Sequence, residues 1–162
     1  MAAEHLKPVE SSVRLEAAAR IVDEAIRIRR SEDLLPLAVA VLDAGGNLVA
    51  FKREDGCGVL RFDIAFGKAW AALGMGMATR AIRDRMAQRP AFQSALAAAS
   101  DGRFIPVPGG VLILRDGQAI GAVGISGDAS DKDEYCAITA IHAAGAKSDP
   151  AEPDPEWRNA GL

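Results

Sequence analysis

Lys68 stands in the run Ala65-Phe66-Gly67-Lys68-Ala69-Trp70-Ala71, a cation among small apolar residues. An ammonium in so close-packed a neighbourhood either pairs with an acid or meets an anionic ligand as a point charge. If it is buried, its pKa falls and the amine gains the chemistry of a base or of a Schiff-base former. Gly109-Gly110 heads an apolar stretch. Glycine permits unusual φ and close backbone approach, so the doublet is either a tight strand entry or a pocket rim whose N–H groups face a carboxylate or propionate. Ser126-Gly127-Asp128 closes a second apolar stretch and leads into a helix, where backbone N–H groups form an anion receptor. Asp128, Asp131 and Asp133 alternatively cap that helix and complement its dipole. Arg53 and Asp55 flank Glu54; an arginine there can fork onto a carboxylate, and the alternative is a solvated charged loop. Cys136 and His142 lie six residues apart, about 600° of helical rotation, so they share no face and form no Cys–His catalytic pair. No phosphate loop, Ser/His/Asp signature or zinc pattern is present.

The elements that must position these groups follow from pattern. Leu15, Ala19, Val22 and Ile26 recur at helical spacing and predict an amphipathic helix over 12–30, which Pro36 prevents from continuing. Residues 37–42 and 48–52 flank Asp43-Ala-Gly-Gly-Asn47 and predict a β-hairpin. Helices are expected over 64–73, over 79–89 with Thr79 as N-cap, and from Pro90 to about Ser100. Residues 111–114 and 119–126 form a second hairpin about Asp116-Gly117, and the apolar content of the latter strand suggests burial on both faces. A last helix spans 132–144 with Gly145 as its stop. The order helix, hairpin, helices, hairpin, helix disfavours a doubly wound parallel sheet and predicts an α+β fold, one antiparallel sheet with helices packed on it. Residues 1–11 read as a flexible N-terminus, 12–146 as the domain, and 147–162 as an extended Pro-rich tail with Trp157 as its one aromatic group.

Composition bounds the function. The 162 residues suit one domain that needs no disulfide or structural metal. Net charge is −3, so no basic excess drives binding to nucleic acid or an anionic membrane. No apolar run approaches a membrane span, and the start MAAEHLKPVE does not read as a secretory signal, so the expected location is cytoplasmic. Two cysteines, Cys57 and Cys136, imply neither a disulfide framework nor a zinc site.

Three segments carry a resemblance: AVAVLDAGGNLVAFKREDG over 38–56, IAFGKAWAAL over 64–73, and PVPGGVLILRDGQAIGAVGISGDASDKDEYCA over 106–137. In this order and spacing they resemble the GlcG/HbpS family of small domains, which includes the C-terminal domain of PduO-type proteins. The resemblance covers roughly 13–145. It implies a profilin-like sandwich that assembles into homo-oligomers, tetramers or octamers, with haem bound by some members. The sequence departs from the pattern at Val111-Leu112, where a proline commonly follows the Gly-Gly step, and it lacks the signal peptide of the secreted haem-binding members.

The resemblance implies a small-ligand-binding protein, with haem or a related tetrapyrrole as ligand. Lys68 and Asp133 recur in the family pattern and become the candidate catalytic pair. Arg53, Asp55, Gly109, Gly110, Ser126 and Gly127 are candidate ligand-binding residues. His142 is the candidate axial ligand for haem iron; the alternatives for that role are His5, Tyr135, Met75 and Met77. The competing function is a cofactor-independent isomerase, tautomerase or lyase acting on a small organic acid. There Lys68 and Asp133 move a proton beside backbone oxyanion donors near Gly110 and Gly127. A third reading makes the domain an assembly subunit. The catalytic reading requires the glycine doublet and the lysine-bearing helix to meet around a shared hollow.

Overall fold

Strand β1, Ala38–Asp43, shows how the two faces of the sheet differ. Side chains alternate along a strand. Val39 and Val41 point one way into a large aliphatic cluster, while Ala38, Ala40 and Leu42 point the other way. The same division holds in β3, Gly110–Arg115, and β4, Gln118–Ser126. Val111, Ile113, Val123 and Ile125 join the first cluster; Leu112 and Ala122 lie on the opposite side. The computed structural model from which this comes describes residues 7–162. The expectations that fall on His5 and on residues 1–6 lie outside them.

Among the described residues the sheet has five strands in the order β2-β1-β4-β3-β5, with β2 spanning Leu48–Arg53 and β5 Lys147–Asp149. Every pairing is antiparallel. Helices α1, Leu15–Ser31, and α5, Ser130–Ala143, cover the bulky face through Ile21, Val22, Ile28, Ile138 and Ile141. Helix α2, Arg61–Met75, covers the other face with Ala65, Ala69 and Ala72. Two short helices, α3 over Thr79–Met86 and α4 over Pro90–Ala99, pack beside α2 through Ile82, Met86 and Leu96. The expected α+β fold with its antiparallel sheet is the observed one.

The α2 face is built from small residues on both sides, which lets backbones approach closely. A methyl at Gly124 would run into the Ala65 carbonyl, and one at Gly110 into the Lys68 carbonyl. Glycine is required here by proximity, since neither residue has a positive φ. In the second hairpin the requirement is conformational: Asp116 and Gly117 have φ of 51° and 77°. That is the pattern of a two-residue turn matched to strand twist.

Several boundaries depart from pattern, and three of the departures change how the elements pack. Helix α2 begins at Arg61 and not at Ile64, because its first turn presents Phe62 to Phe51 of β2, ring centroids 4.8 Å apart. Thr79 is not an N-cap: Ala78 holds that position, and Thr79 is buried with its hydroxyl turned to Gly110. Residues 147–149, read as the start of an extended tail, add strand β5 to the β3 edge, and Trp157 docks on its own domain.

Candidate functional site

Helix α2 and helix α5 lie on opposite faces of the sheet, and Lys68 joins them where β4 ends. Its Nζ donates to Asp133 Oδ2 and to the Ile125 carbonyl, both at 2.9 Å. Lys68 is 2% exposed and Asp133 1%. The small residues around the lysine explain its burial: the helix sits so close to β3 and β4 that the aliphatic stem is enclosed. Asp133 Oδ1 accepts the Asp128 N–H at 3.1 Å, so both its oxygens are engaged. Burial pushes the Asp133 carboxyl up, to about 6, against the opposing pull of the Lys68 ammonium.

The glycine doublet lies against this pair, as the catalytic reading requires, but the lysine itself fills the space between. A methyl at Gly109 would come within 2.9 Å of Lys68 Nζ. The Gly110 N–H is taken by Thr79 Oγ1 at 2.8 Å, and the Gly110 carbonyl accepts from the same hydroxyl at 3.2 Å. The Gly109 carbonyl accepts the Ile125 N–H at 3.0 Å. The expectation that the Gly110 amide serves as an oxyanion donor is therefore corrected: that amide is spent inside the fold. Gly127 likewise sits where a methyl would run into the Pro36 carbonyl, which makes it a close backbone contact.

Ser126 is buried and accepts a hydrogen bond from Arg61 Nη1 at 3.1 Å. Arg61 also exerts its charge on Asp133, which extends the pair into a Lys68–Asp133–Arg61 group. Nothing in the local sequence points to Arg61, because its partner lies 65 residues away. Asp128 has a structural role as well. Burial acts to raise its pKa, but the N–H groups of Leu35 and Ala129, at 2.9 and 2.7 Å, hold the carboxyl below its usual value.

The remaining expected residues fall elsewhere. Arg53 and Asp55 line an open, charged groove of about 750 Å³ between α1 and β2. Glu54, between them, is tied to Arg29, Arg30 and the Leu37 N–H. His142 is exposed on α5, its Nε2 2.9 Å from Ser148 Oγ. The Ser148 hydroxyl proton goes to the Pro150 carbonyl, so His142 donates from Nε2 and keeps Nδ1 as its acceptor.

A second groove, which sequence reasoning missed, lies between α1, the β3–β4 hairpin and the loop after α5. It encloses about 370 Å³. Val13, Ala17 and Ile120 contribute apolar wall; Arg14, Arg115 and Lys147 stand among its lining. Its residues come from three separate stretches of chain, so no linear motif announces it. Among the described residues no cluster of three or more His, Cys, Asp or Glu is arranged to hold a metal ion, and no helix is long and apolar enough to cross a membrane.

With this geometry in place, comparison with known proteins assigns the class. Residues 13–142 match the family described as haem degrading protein HbpS-like, and the chain belongs to that family. A 15.0 kDa protein of the dhaT-dhaS intergenic region of Citrobacter freundii is 32% identical over 125 residues, spanning 77% of this chain and 87% of the relative. The corrinoid adenosyltransferase PduO of Salmonella typhimurium is 32% identical over 117 residues, but the match spans only 34% of that protein. Among solved structures, a Klebsiella pneumoniae protein named ORFY superposes with a TM-score of 0.75 at 27% identity, covering 88% of this chain and 96% of the other. A PduOC complex with haem superposes with a TM-score of 0.72 at 26% identity, covering 83% and 96%.

Proposed function

We propose that this chain binds haem or a related tetrapyrrole in the groove between α1, the β3–β4 hairpin and the loop after α5. The observation that carries the reading is the composition of that groove, aliphatic walls beside Arg14, Arg115 and Lys147. A planar apolar macrocycle bearing carboxylates needs that combination: area to bury and cations to meet its acid groups. The volume falls within the ordinary range for small-ligand sites. The haem complex of a structural neighbour in the same fold supports the choice of ligand.

The groove fits the ring and its carboxylates better than it fits the iron. None of its lining residues is His, Cys, Met or Tyr. His142 lies two residues before Ala144 of the lining, and Nδ1 is the nitrogen it has to offer. Bound haem would supply iron-centred redox and ligand chemistry; the chain's own part is to bury the ring and neutralise its acids.

Titration with hemin, read at the Soret band, is expected to saturate at one equivalent per chain. The double variant Arg14→Glu/Arg115→Glu should bind at least about tenfold more weakly, since it replaces two favourable charges by two unfavourable ones. Unchanged affinity in that variant places the ligand elsewhere. A His142→Ala protein with an unmoved Soret maximum removes His142 from the iron.

The isomerase reading retains one supporting observation, the meeting of Lys68 and Asp133, and loses the hollow it requires. At 2% and 1% exposure the pair has no room for a substrate atom beside it.

A homo-oligomer is part of the same proposal. Val59 and Leu60 are 78% and 63% exposed just before α2, next to the Phe51–Phe62 contact on the β2 edge of the sheet. Such an apolar group at an edge strand suits a second copy. Light scattering should report a multimer for the native chain and a smaller mass for Leu60→Glu. A native chain of 17.0 kDa in solution refutes it.

A further inference from the structure

Glu134 lies at 0% exposure in α5, and neither of its side-chain oxygens has a hydrogen-bond partner among the described residues. Its nearest cation is Arg80 of α3, with Nη1 3.3 Å from Oε1. Arg80 is shared: its Nη2 donates to the Glu152 carbonyl of the C-terminal segment at 3.0 Å. That segment crosses the domain beyond the residues matched by the family, which end at 142. Its first residues are fixed in the sheet as strand β5, and three side-chain contacts fasten it further. Asp149 Oδ2 accepts the Ala78 N–H at 3.3 Å. Trp157 stacks on Tyr135, the neighbour of Glu134, with ring centroids 3.7 Å apart. Arg158 pairs with Glu32 at 2.7 Å.

We propose that residues 150–162, hinged on strand β5, form a strap that stays closed while Glu134 is protonated and loosens when Glu134 ionises. A neutral carboxyl under the strap carries a moderate burial cost. An ionised one with no hydrogen-bond donor requires water, which reaches it only if the cover lifts. The charges facing Glu134 do not remove this need. Arg80 and Arg83 of α3 attract it, while Asp131 of α5 and Asp154 of the strap repel it. Asp154 rides on the moving part, so ionisation of Glu134 pushes directly on the strap.

The sign follows from linkage. Burial raises the Glu134 carboxyl from its ordinary 4.5 to about 7 in the closed state. The closed state therefore binds the proton more tightly and is favoured as pH falls. If the lifted strap returns Glu134 to its ordinary value, the ratio of open to closed grows about tenfold between pH 6 and pH 8.5.

Hydrogen–deuterium exchange on the full chain tests this, with each rate corrected for the intrinsic pH dependence of amide exchange. Protection of residues 150–162 is expected to fall about tenfold from pH 6 to pH 8.5, while β1, β4 and β5 amides keep theirs. In Glu134→Gln, which cannot ionise, strap protection should be equal at both pH values. In Asp154→Asn, a change outside the core, one repelling charge is gone from the closed state, the proton affinity of Glu134 there drops, and the fall between pH 6 and pH 8.5 should shift to lower pH and shrink. Equal strap protection at the two pH values in the native chain overturns the proposal. So does a fall of native size in Glu134→Gln, or, if that variant does not fold, a fall of native size in Asp154→Asn.

Discussion

Alanine at Gly124 is expected to destabilise the protein by about 3 kcal/mol or more, at the upper end of what overpacking costs. Gly124 lies mid-sheet, paired with Ala40 on one side and Gly110 on the other. The added methyl meets the Ala65 carbonyl and stands 2.9 Å from the Ala69 nitrogen. Both are helix backbone, which has no rotamer by which to yield. Relief requires α2 to lift from the sheet as a body, and the lift draws Lys68 away from Asp133. Gly58→Ala is the control, because no atom lies within 4 Å of its added methyl and its φ is not positive. It should change stability by less than about 0.5 kcal/mol. Urea denaturation of the two variants checks the contrast; equal stabilities would mean that α2 is not held at close range.

Lys68→Met should lose about 3–5 kcal/mol at pH 8, the usual result of stranding one member of a buried ion pair. Asp133 keeps only the Asp128 N–H as a donor and must remain charged at 1% exposure, or take up a proton. Without the ammonium its proton affinity rises further, since the attraction that opposes burial is gone. A carboxyl raised in the folded state costs nothing below its unfolded pKa, and its cost grows as pH rises toward the folded value. The deficit of Lys68→Met is therefore expected to be smaller at pH 5 than at pH 8. Lys68→Met/Asp133→Asn should recover part of the loss, because no charge is left unpaired. A deficit that is the same at both pH values would assign the loss to packing of the lysine stem.

Both hairpins and the α+β class were legible because turn chemistry and strand periodicity are local signals, as at Asp116-Gly117. The meeting of Lys68 with Asp133 was legible in outline, since a cation among small residues demands a partner. What occupies the space between them was not. A glycine in a strand signals close approach of something, and only the fold shows that the approaching group at Gly110 is helix backbone and not a ligand. Strand β5 left no mark because it has three residues and only Ser148 is buried. Arg61 and the groove beside α1 escaped for a different reason: their parts converge from distant stretches of chain.

The lysine bolt between α2 and α5 also bears on how the molecule comes apart. Its ammonium is fastened to a carbonyl of the central strand and to an acid on the far layer. Peeling either helix away strands a buried charge on what remains, so a half-dismantled intermediate is penalised from both directions. The two layers should melt in a single concerted transition, with calorimetric and van't Hoff enthalpies that agree.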